Sequence, residues 1–347
     1  MARASRGLLL LEPSRPQRQA HTCACFCVEP IIFCTMTLAA SPIGVFDSGI
    51  GGLSVLQALR HELPHEHFVY LADSGNAPYG ERGDAFVQAR THAIAQHLRS
   101  AYGIKGLVIA CNTATAAAVE SLRALMPDLP LIGVEPAIKP AAAASQTHHV
   151  GVIATRGTVE SRRFKKLLDE HGQQVRFQVQ ACDGLARAIE QSTVQQPKLE
   201  GETTEIEALS ARYISDLGQF GLKTGEMDVL VLGCTHYIFI KDELRALLGP
   251  DVQLIDTGAA VARQTRRLLE KNQTLRPEPD GAPTPALAQG AQIQLMTTGS
   301  VASLEAAAQR WLDLPRTCCQ AADAGLPKTV IATDGAYRAE EGSDALL

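Results

Sequence analysis

The chain has 347 residues, of which 46% are hydrophobic and 20% charged, and its formal net charge is −5. Such a composition is typical of a globular protein with room for two domains, and a negative charge without a dense basic stripe argues against a nucleic-acid binder. No apolar run approaches the length of a membrane span, and nine cysteines, an odd number scattered along the chain, favour a reduced cytoplasmic protein over a disulfide framework.

Residues 1–41 carry no periodic apolar pattern that would pack against a core. The CACFC segment at 23–27 leaves a metal-binding tract open as an alternative. We expect residues 1–41 to form a disordered leader.

From residue 42 onward, short apolar runs alternate with helical patterns. The runs are IGVF, FVYLAD, LVIAC, LIGV, VGVIAT, VLVLGC, LIDT and QLMTTG. Continuously apolar strands that alternate with helices predict parallel sheets covered on both faces, hence an α/β fold. Residues 272–290 are predicted to form a loop and residues 316–347 a loose C-terminal tail.

The first strand ends at Asp47-Ser48 and is followed by glycines at 49, 51 and 52. This turn lacks both the GxGxxG spacing and a following GK[ST], so neither a dinucleotide nor a P-loop phosphate is indicated. Its backbone N–H groups are suited to a carboxylate. Asp47 is expected to accept a hydrogen bond from a substrate ammonium or to orient a neighbouring thiol, unless it serves only as a helix cap.

The sequence contains an internal echo. IGVFDSG at 43–49 resembles VGVIATRG at 150–157, and LVIACNTA at 107–114 resembles LVLGCTHY at 230–237. This pattern predicts two similar domains, each with a parallel-rich sheet flanked by helices. Because ligands bind beyond the carboxyl ends of parallel strands, Cys111 and Cys234 are expected to approach one ligand from opposite sides.

Two opposed thiols suit the movement of a proton from one face of a carbon atom to the other. A thiol is both an acid and a base near neutral pH, and a helix N-terminus after each cysteine would favour the thiolate. The competing interpretation is simple packing, since free cysteine is among the most buried residue types.

Four segments in a fixed order strengthen the functional interpretation: FDSGIGGLSV, APYG at 77–80, ACNTATA at 110–116 and GCTHY at 233–237. Together they resemble the signatures of the glutamate racemase family. The resemblance runs from about residue 42 to 313. It implies an active site in the cleft between two α/β domains, the first formed by residues 42–135 plus 245–315 and the second by 136–244.

The resemblance also implies roles for individual residues. Cys111 and Cys234 would transfer the proton without a cofactor or metal, and Asp47, Glu190 and His236 would support them. The implied substrate contacts are Asp47, Ser48, Tyr79, Gly80, Asn112, Thr113, Thr235 and His236.

The implied reaction interconverts L- and D-glutamate for peptidoglycan synthesis. Implied partners are glutamate, a second copy in a homodimer and, as a candidate regulator, a cell-wall precursor; no membrane or nucleic-acid partner is expected. Two alternatives stay open, a racemase for aspartate or another small amino acid and a non-catalytic binding protein that uses the same cleft.

Overall fold

A computed structural model describes residues 38–193, 203–277 and 293–322, together with the backbone of 330–333 and 336–339. The CACFC segment and most of the predicted leader and of the 272–290 loop lie outside these residues. In chain order the strands are β1 (Ile43–Asp47), β2 (Phe68–Ala72), β3 (Gly106–Ile109), β4 (Leu131–Gly133), β5 (His149–Ala154), β6 (Arg176–Ala181), β7 (Val229–Gly233), β8 (Gln253–Ile255), β9 (Ile293–Thr297), β10 (Cys319–Ala321), β11 (Val330–Thr333) and β12 (Ala336–Ala339).

The helices alternate with the strands as the sequence predicts. They are α1 (Leu53–Glu62), α2 (Asp84–Tyr102), α3 (Asn112–Leu125), α4 (Ile138–Ala144), α5 (Arg156–Glu160), α6 (Arg162–His171), α7 (Leu185–Gln191), α8 (Glu205–Leu217), α9 (Lys241–Leu248), α10 (Gly258–Lys271) and α11 (Val301–Leu312). Within the described residues, no helix is long and apolar enough to cross a membrane.

Two parallel sheets organise the molecule. The first has the order β10-β9-β2-β1-β3-β4 and the second the order β6-β5-β7-β8, with every neighbouring pair parallel. Helices α1, α10 and α11 pack on one face of the first sheet and α2 and α3 on the other. The second sheet is likewise covered on both faces, by α7 and α8 on one and by α4 and α6 on the other. The α/β class with helix-flanked parallel sheets is thus confirmed.

The internal echo in the sequence corresponds to a repeated strand order. The four strands β2-β1-β3-β4 occupy the same relative places in the first sheet as β6-β5-β7-β8 in the second. β1 therefore lies beside β3 as β5 lies beside β7. We call the structure built on the first sheet (38–134, 257–277 and 293–322) the first lobe and that built on the second (138–193 and 203–255) the second lobe.

Three sequence-based boundaries differ from the structure. The strand β8, predicted to lie in the first domain, hydrogen-bonds to β7 of the second sheet, and only from α10 onward does the chain pack on the first core. Within the predicted tail, β10 pairs with β9, and Cys318 beside it is buried in the first core. Within the predicted leader, Ala39 is buried and its carbonyl accepts a hydrogen bond from Lys105 Nζ at 2.8 Å.

Candidate active site

A cavity of about 230 Å³ lies between the two lobes, at the carboxyl ends of their central strands. Both lobes supply its walls: the first lobe provides Ser48, Ser74, Ala77, Pro78, Tyr79, Gly80, Cys111, Asn112 and Thr113, and the second provides Thr155, Ala186, Arg187, Glu190, Gln191, Cys234, Thr235 and His236. The site lies beyond the ends of two neighbouring strands in each sheet, β1 and β3 in the first and β5 and β7 in the second. From such a pair the chain continues toward opposite faces of the sheet, and a parallel sheet opens a crevice at that point.

Cys111 follows β3 and is the N-cap of α3. Its sulfur accepts a hydrogen bond from the backbone N–H of Ala114 at 3.4 Å and lies 3.5 Å from Ser48 Oγ. Burial, followed by the negative charge of Asp47, raises the pKa of Cys111 well above its ordinary value. Cys111 is therefore a protonated thiol in the unliganded protein, with a hydrogen available for donation.

Cys234 follows β7 and has a different neighbour. Its sulfur lies 3.7 Å from Nδ1 of His236, and Nε2 of the same ring lies 2.7 Å from Oε2 of Glu190. Burial opposes a charge on the imidazole, but the hydrogen bonds and negative charges of Cys234 and Glu190 outweigh it and hold the pKa of His236 well above its usual value. The resulting imidazolium places a positive charge beside the Cys234 sulfur.

The Glu190 carboxylate connects the lobes. It belongs to α7 of the second lobe, yet it accepts hydrogen bonds from Ser74 Oγ at 2.7 Å and from the Ile50 backbone N–H at 2.9 Å, both in the first lobe. Burial raises its pKa, but the hydrogen bonds from His236, Ser74 and Ile50 reverse this effect and leave the pKa below its usual range. Glu190 is thus an ionised partner for His236.

The glycine-rich turn is shaped by close contacts between the lobes. A Cβ atom at Gly49 would lie 2.3 Å from Glu190 Oε2, and one at Gly51 would lie 2.3 Å from His236 Nδ1. The turn was predicted to offer its N–H groups to a substrate carboxylate. Instead, two of them bind the protein's own carboxylates: Ile50 donates to Glu190 and Gly52 to Asp47 Oδ2, at 2.6 Å.

Asp47 lies behind Cys111 at the end of β1 and is fully buried. One of its oxygens accepts from Gly52 before the first turn of α1, whereas Oδ1 has no hydrogen-bond partner among the described residues. Burial raises the pKa of Asp47 to about 6, although the positive charge of His236 opposes the shift. One Asp47 oxygen thus binds at the start of α1, as expected for a helix cap, and the second oxygen is available for a proton or a ligand.

Tyr79 and Gly80 reach the cavity on a short turn held by a buried ion pair. Asp73 binds Arg90 NH2 at 2.6 Å and accepts a hydrogen bond from the Tyr79 hydroxyl at 2.6 Å. A Cβ atom at Gly80 would approach Thr155 Cβ to 2.7 Å. The Tyr79 hydroxyl is therefore engaged by the protein, and the ring contributes a wall of the cavity.

Three predicted contact residues supply polar groups to the cavity. Both side-chain polar atoms of buried Asn112 lack a hydrogen-bond partner among the described residues. Thr113 Oγ1 lies 3.0 Å from Thr155 Oγ1 across the interface, and Thr235 lies beside Cys234. Buried polar atoms without partners are costly, so the Asn112 amide is suited to a polar ligand.

Sequence reasoning placed the predicted site residues in one cavity or directly behind it, but it missed others. Ser74, Thr155, Arg187 and Gln191 also line the cavity. A signal existed for two of them, since Ser74 and Thr155 follow the ends of β2 and β5, where polar residues meet at the sheet edge. Arg187 and Gln191 lie on α7 near Glu190 and carried no comparable signal.

Two lobes that bring one thiol each to a shared cavity define a class of site suited to proton transfer at both faces of a carbon. The family model for Asp/Glu/Hydantoin racemase matches residues 43–265. The chain belongs to this family.

Individual relatives agree with this assignment. The chain is 48% identical over 244 residues to a glutamate racemase of Ectopseudomonas mendocina, covering 70% of this chain and 88% of that protein. It is 49% identical over 238 residues to one of Cupriavidus pinatubonensis, covering 68% and 82%.

Solved structures show the same fold. A Bacillus anthracis glutamate racemase isoform superposes with a TM-score of 0.65 at 30% identity, covering 79% of this chain and 95% of that one. An Escherichia coli glutamate racemase, solved with L-glutamate and the activator UDP-MurNAc-Ala, superposes with a TM-score of 0.63 at 33% identity, covering 78% and 95%.

Proposed function

We propose that this protein interconverts L- and D-glutamate by a two-thiol mechanism. The observation that carries the proposal is the placement of Cys111 and Cys234, one from each lobe, on the wall of a single cavity. The names of the relatives support glutamate as the substrate. A cavity of about 230 Å³ lined by Asn112, threonine hydroxyls and one arginine matches a small amino acid with two carboxylates.

The two thiols differ in their charged neighbours. Cys111 is held as a thiol by burial and by Asp47, whereas Cys234 lies beside the His236 imidazolium. Following the family order, we assign Cys234 as the base for L-glutamate and Cys111 as the base for D-glutamate.

The chemistry balances without any further reactant. The Cys234 thiolate removes the proton from Cα and becomes a thiol, while the electron pair of the broken C–H bond remains on Cα and is delocalised toward the α-carboxylate. The Cys111 thiol then donates its proton to the opposite face of Cα and becomes a thiolate. A D-glutamate molecule runs the same steps in reverse and restores the starting charges.

Substrate binding would use polar groups that line the cavity. The Asn112 amide and the Thr113 and Thr235 region fit a carboxylate, and Ser48 lies beside the Cys111 sulfur. The remaining Asp47 oxygen is buried behind Cys111 and acts on that thiol by its charge. We expect the α-carbon of the bound substrate to lie between the two sulfur atoms.

The family context extends the proposal beyond the site. This protein would act in the cytoplasm as a homodimer, and the D-glutamate that it makes would be consumed in peptidoglycan synthesis. The Escherichia coli relative was solved with UDP-MurNAc-Ala as an activator, which supports a cell-wall precursor as a regulator of this protein too.

The test is a circular-dichroism time course with L-glutamate and, separately, with D-glutamate, run alongside L- and D-aspartate. The proposal predicts that both glutamate signals decay to zero and that aspartate reacts much more slowly. Faster turnover of aspartate would assign the alternative substrate. Binding of glutamate without any loss of optical activity would identify a binding protein instead of a racemase.

A further inference from the structure

Ser74 lines the cavity and is linked to the Cys234 thiol through Glu190 and His236. Its hydroxyl donates to Glu190 Oε1 at 2.7 Å, and the other carboxylate oxygen lies 2.7 Å from His236 Nε2. The imidazole then faces the Cys234 sulfur through Nδ1, at 3.7 Å. A chain of three contacts thus leads from a first-lobe hydroxyl to a second-lobe thiol.

Hydrogen bonds from the protein keep the Glu190 carboxylate ionised. The side chain is only 19% exposed, so its charge depends on protein donors more than on solvent. Its donors besides His236 are the Ser74 hydroxyl and the Ile50 N–H, and the absence of a Cβ at Gly49 makes room for the carboxylate beside them. Losing a donor to a buried carboxylate favours its protonated form and weakens its ion pair.

Cys111 takes no part in this chain. The partners of its sulfur among the described residues are Ser48 Oγ and the Ala114 N–H, both within the first lobe. A disturbance at Ser74 should therefore reach one thiol and spare the other.

We propose that Ser74 is a positioning residue for the Cys234 half of the reaction, acting across the lobe interface through Glu190 and His236. The inference rests on the proposed racemase function and adds a residue that the signature segments do not assign. The Ser74 and Ile50 donors belong to the opposite lobe from the carboxylate, so contact between the lobes adds to the stabilisation of the charged Glu190–His236 pair.

Racemisation rates alone cannot reveal which thiol is affected. The equilibrium constant between two enantiomers is one, so kcat/KM must be equal in the two directions for every variant. An analogue of glutamate with chloride on the β-carbon avoids this constraint. One base removes the Cα proton, the electron pair forms the Cα–Cβ double bond, chloride leaves, and the enamine hydrolyses to a keto acid and ammonium.

The experiment compares elimination from the L and D forms of this chlorinated analogue in the wild type, Ser74→Ala and Ser74→Thr. Ser74→Ala should slow elimination from the L form about tenfold, the effect of losing one charge-assisted hydrogen bond, and should change the D form less than about twofold. Ser74→Thr, which keeps the hydroxyl, should restore the L form.

Ser54 offers a matched control. Its hydroxyl lies 2.8 Å from the Gly51 carbonyl and 3.2 Å from the Thr235 carbonyl, the latter across the same interface, and neither bond involves Glu190. Ser54→Ala should therefore leave the ratio of L-form to D-form elimination closer to the wild-type ratio than Ser74→Ala does, and thermal melts of all variants would detect general unfolding. Equal losses for the two enantiomers in Ser74→Ala, no loss, or failure of Thr to restore the L form would overturn the positioning role. A wild type that neither racemises glutamate nor eliminates chloride would instead refute the proposed function.

Discussion

Nε2 of His236 lies 2.7 Å from Oε2 of Glu190, in an ion pair whose histidine side chain is only 7% exposed. The other ring nitrogen faces Cys234, so this pair places a positive charge beside one of the two thiols. Cys111 has a buried carboxylate, Asp47, as its charged neighbour instead. Two lobes with the same strand order thus hold their thiols in opposite electrostatic surroundings.

Replacing Glu190 by Gln should shift the pH dependence of the Cys234 half-reaction. Without the carboxylate, His236 loses one of the two groups that raise its pKa, so the imidazolium is lost at a lower pH than in the wild type. Elimination from the L form of the chlorinated analogue should fall at pH 7 by about tenfold or more, and the loss should be smaller at a pH low enough to keep His236 charged. A parallel drop at all pH values would contradict this account.

Replacing Asp47 by Asn should stabilise the fold and impair the enzyme. The pKa of Asp47 is raised from 3.8 to about 6, so its ionised form opposes folding by about 3 kcal/mol at neutral pH. Because the pKa is raised in the folded state, the Asp47 carboxyl destabilises the fold only when it is ionised. The gain in free energy of unfolding from Asn should therefore be full above pH 6, shrink between pH 6 and 4, and vanish below pH 4. Urea unfolding at several pH values measures it.

Asp228 provides the control for that measurement. Its carboxylate accepts hydrogen bonds from Ser145 Oγ and the Gln146 N–H, and these donors outweigh burial and lower its pKa. Asp228→Asn should therefore destabilise the protein at neutral pH, the opposite sign from Asp47→Asn. Equal signs for the two variants would show that burial of Asp47 is not the cause.

The sequence predicted the layers and the placement of the two cysteines because both depend on local signals. Apolar strands ending in a polar residue identify the sheet edge, and in the structure Cys111 and Cys234 follow β3 and β7 and line one cavity. The fate of the glycine-rich turn was not predictable in this way. The Ile50 N–H of this turn binds Glu190, 140 positions away, and no local sequence pattern indicates a carboxylate from the other lobe.

The boundary errors have a similar origin. The strand β8 has only three residues, and none of them is fully buried, so its apolar pattern does not indicate which sheet it joins. Its pairing with β7 places it in the second sheet. The edge strand β10 is equally short. Short strands are specified by their partners more than by their own sequence.

Arg187 should contribute to substrate affinity through its charge. It is the one lysine or arginine among the described residues that line the cavity, and its guanidinium lies 3.8 Å from Glu81 Oε2. Arg187→Met should raise the KM for glutamate about two- to fivefold with kcat little changed, as expected for a half-exposed charge. Glu81→Gln should lower KM, and added salt should reduce both effects. A fall in kcat with KM unchanged would assign Arg187 a different role.

Gly51→Ala should disable the Cys234 side by steric means. The added Cβ would lie 2.3 Å from His236 Nδ1 and 2.6 Å from Thr235 Oγ1, so the imidazole must leave its place beside the sulfur. We expect a loss of at least about 10²-fold in kcat, the scale of a removed acid–base group. Gly83→Ala is the control, because a Cβ there would meet no atom within 4 Å. A Gly51→Ala enzyme as active as Gly83→Ala would show that the contact relaxes freely.

The most direct test of the two-thiol account uses Cys111→Ser and Cys234→Ser with both enantiomers of the chlorinated analogue. A serine hydroxyl is far too weakly acidic to replace the thiolate, so each variant should lose glutamate racemisation by about 10²–10⁴-fold or more. Elimination needs only one base. Cys111→Ser should therefore keep elimination from the L form and lose it from the D form, and Cys234→Ser should do the reverse. Racemisation retained in both variants, or elimination lost from the same enantiomer in both, would contradict the assignment.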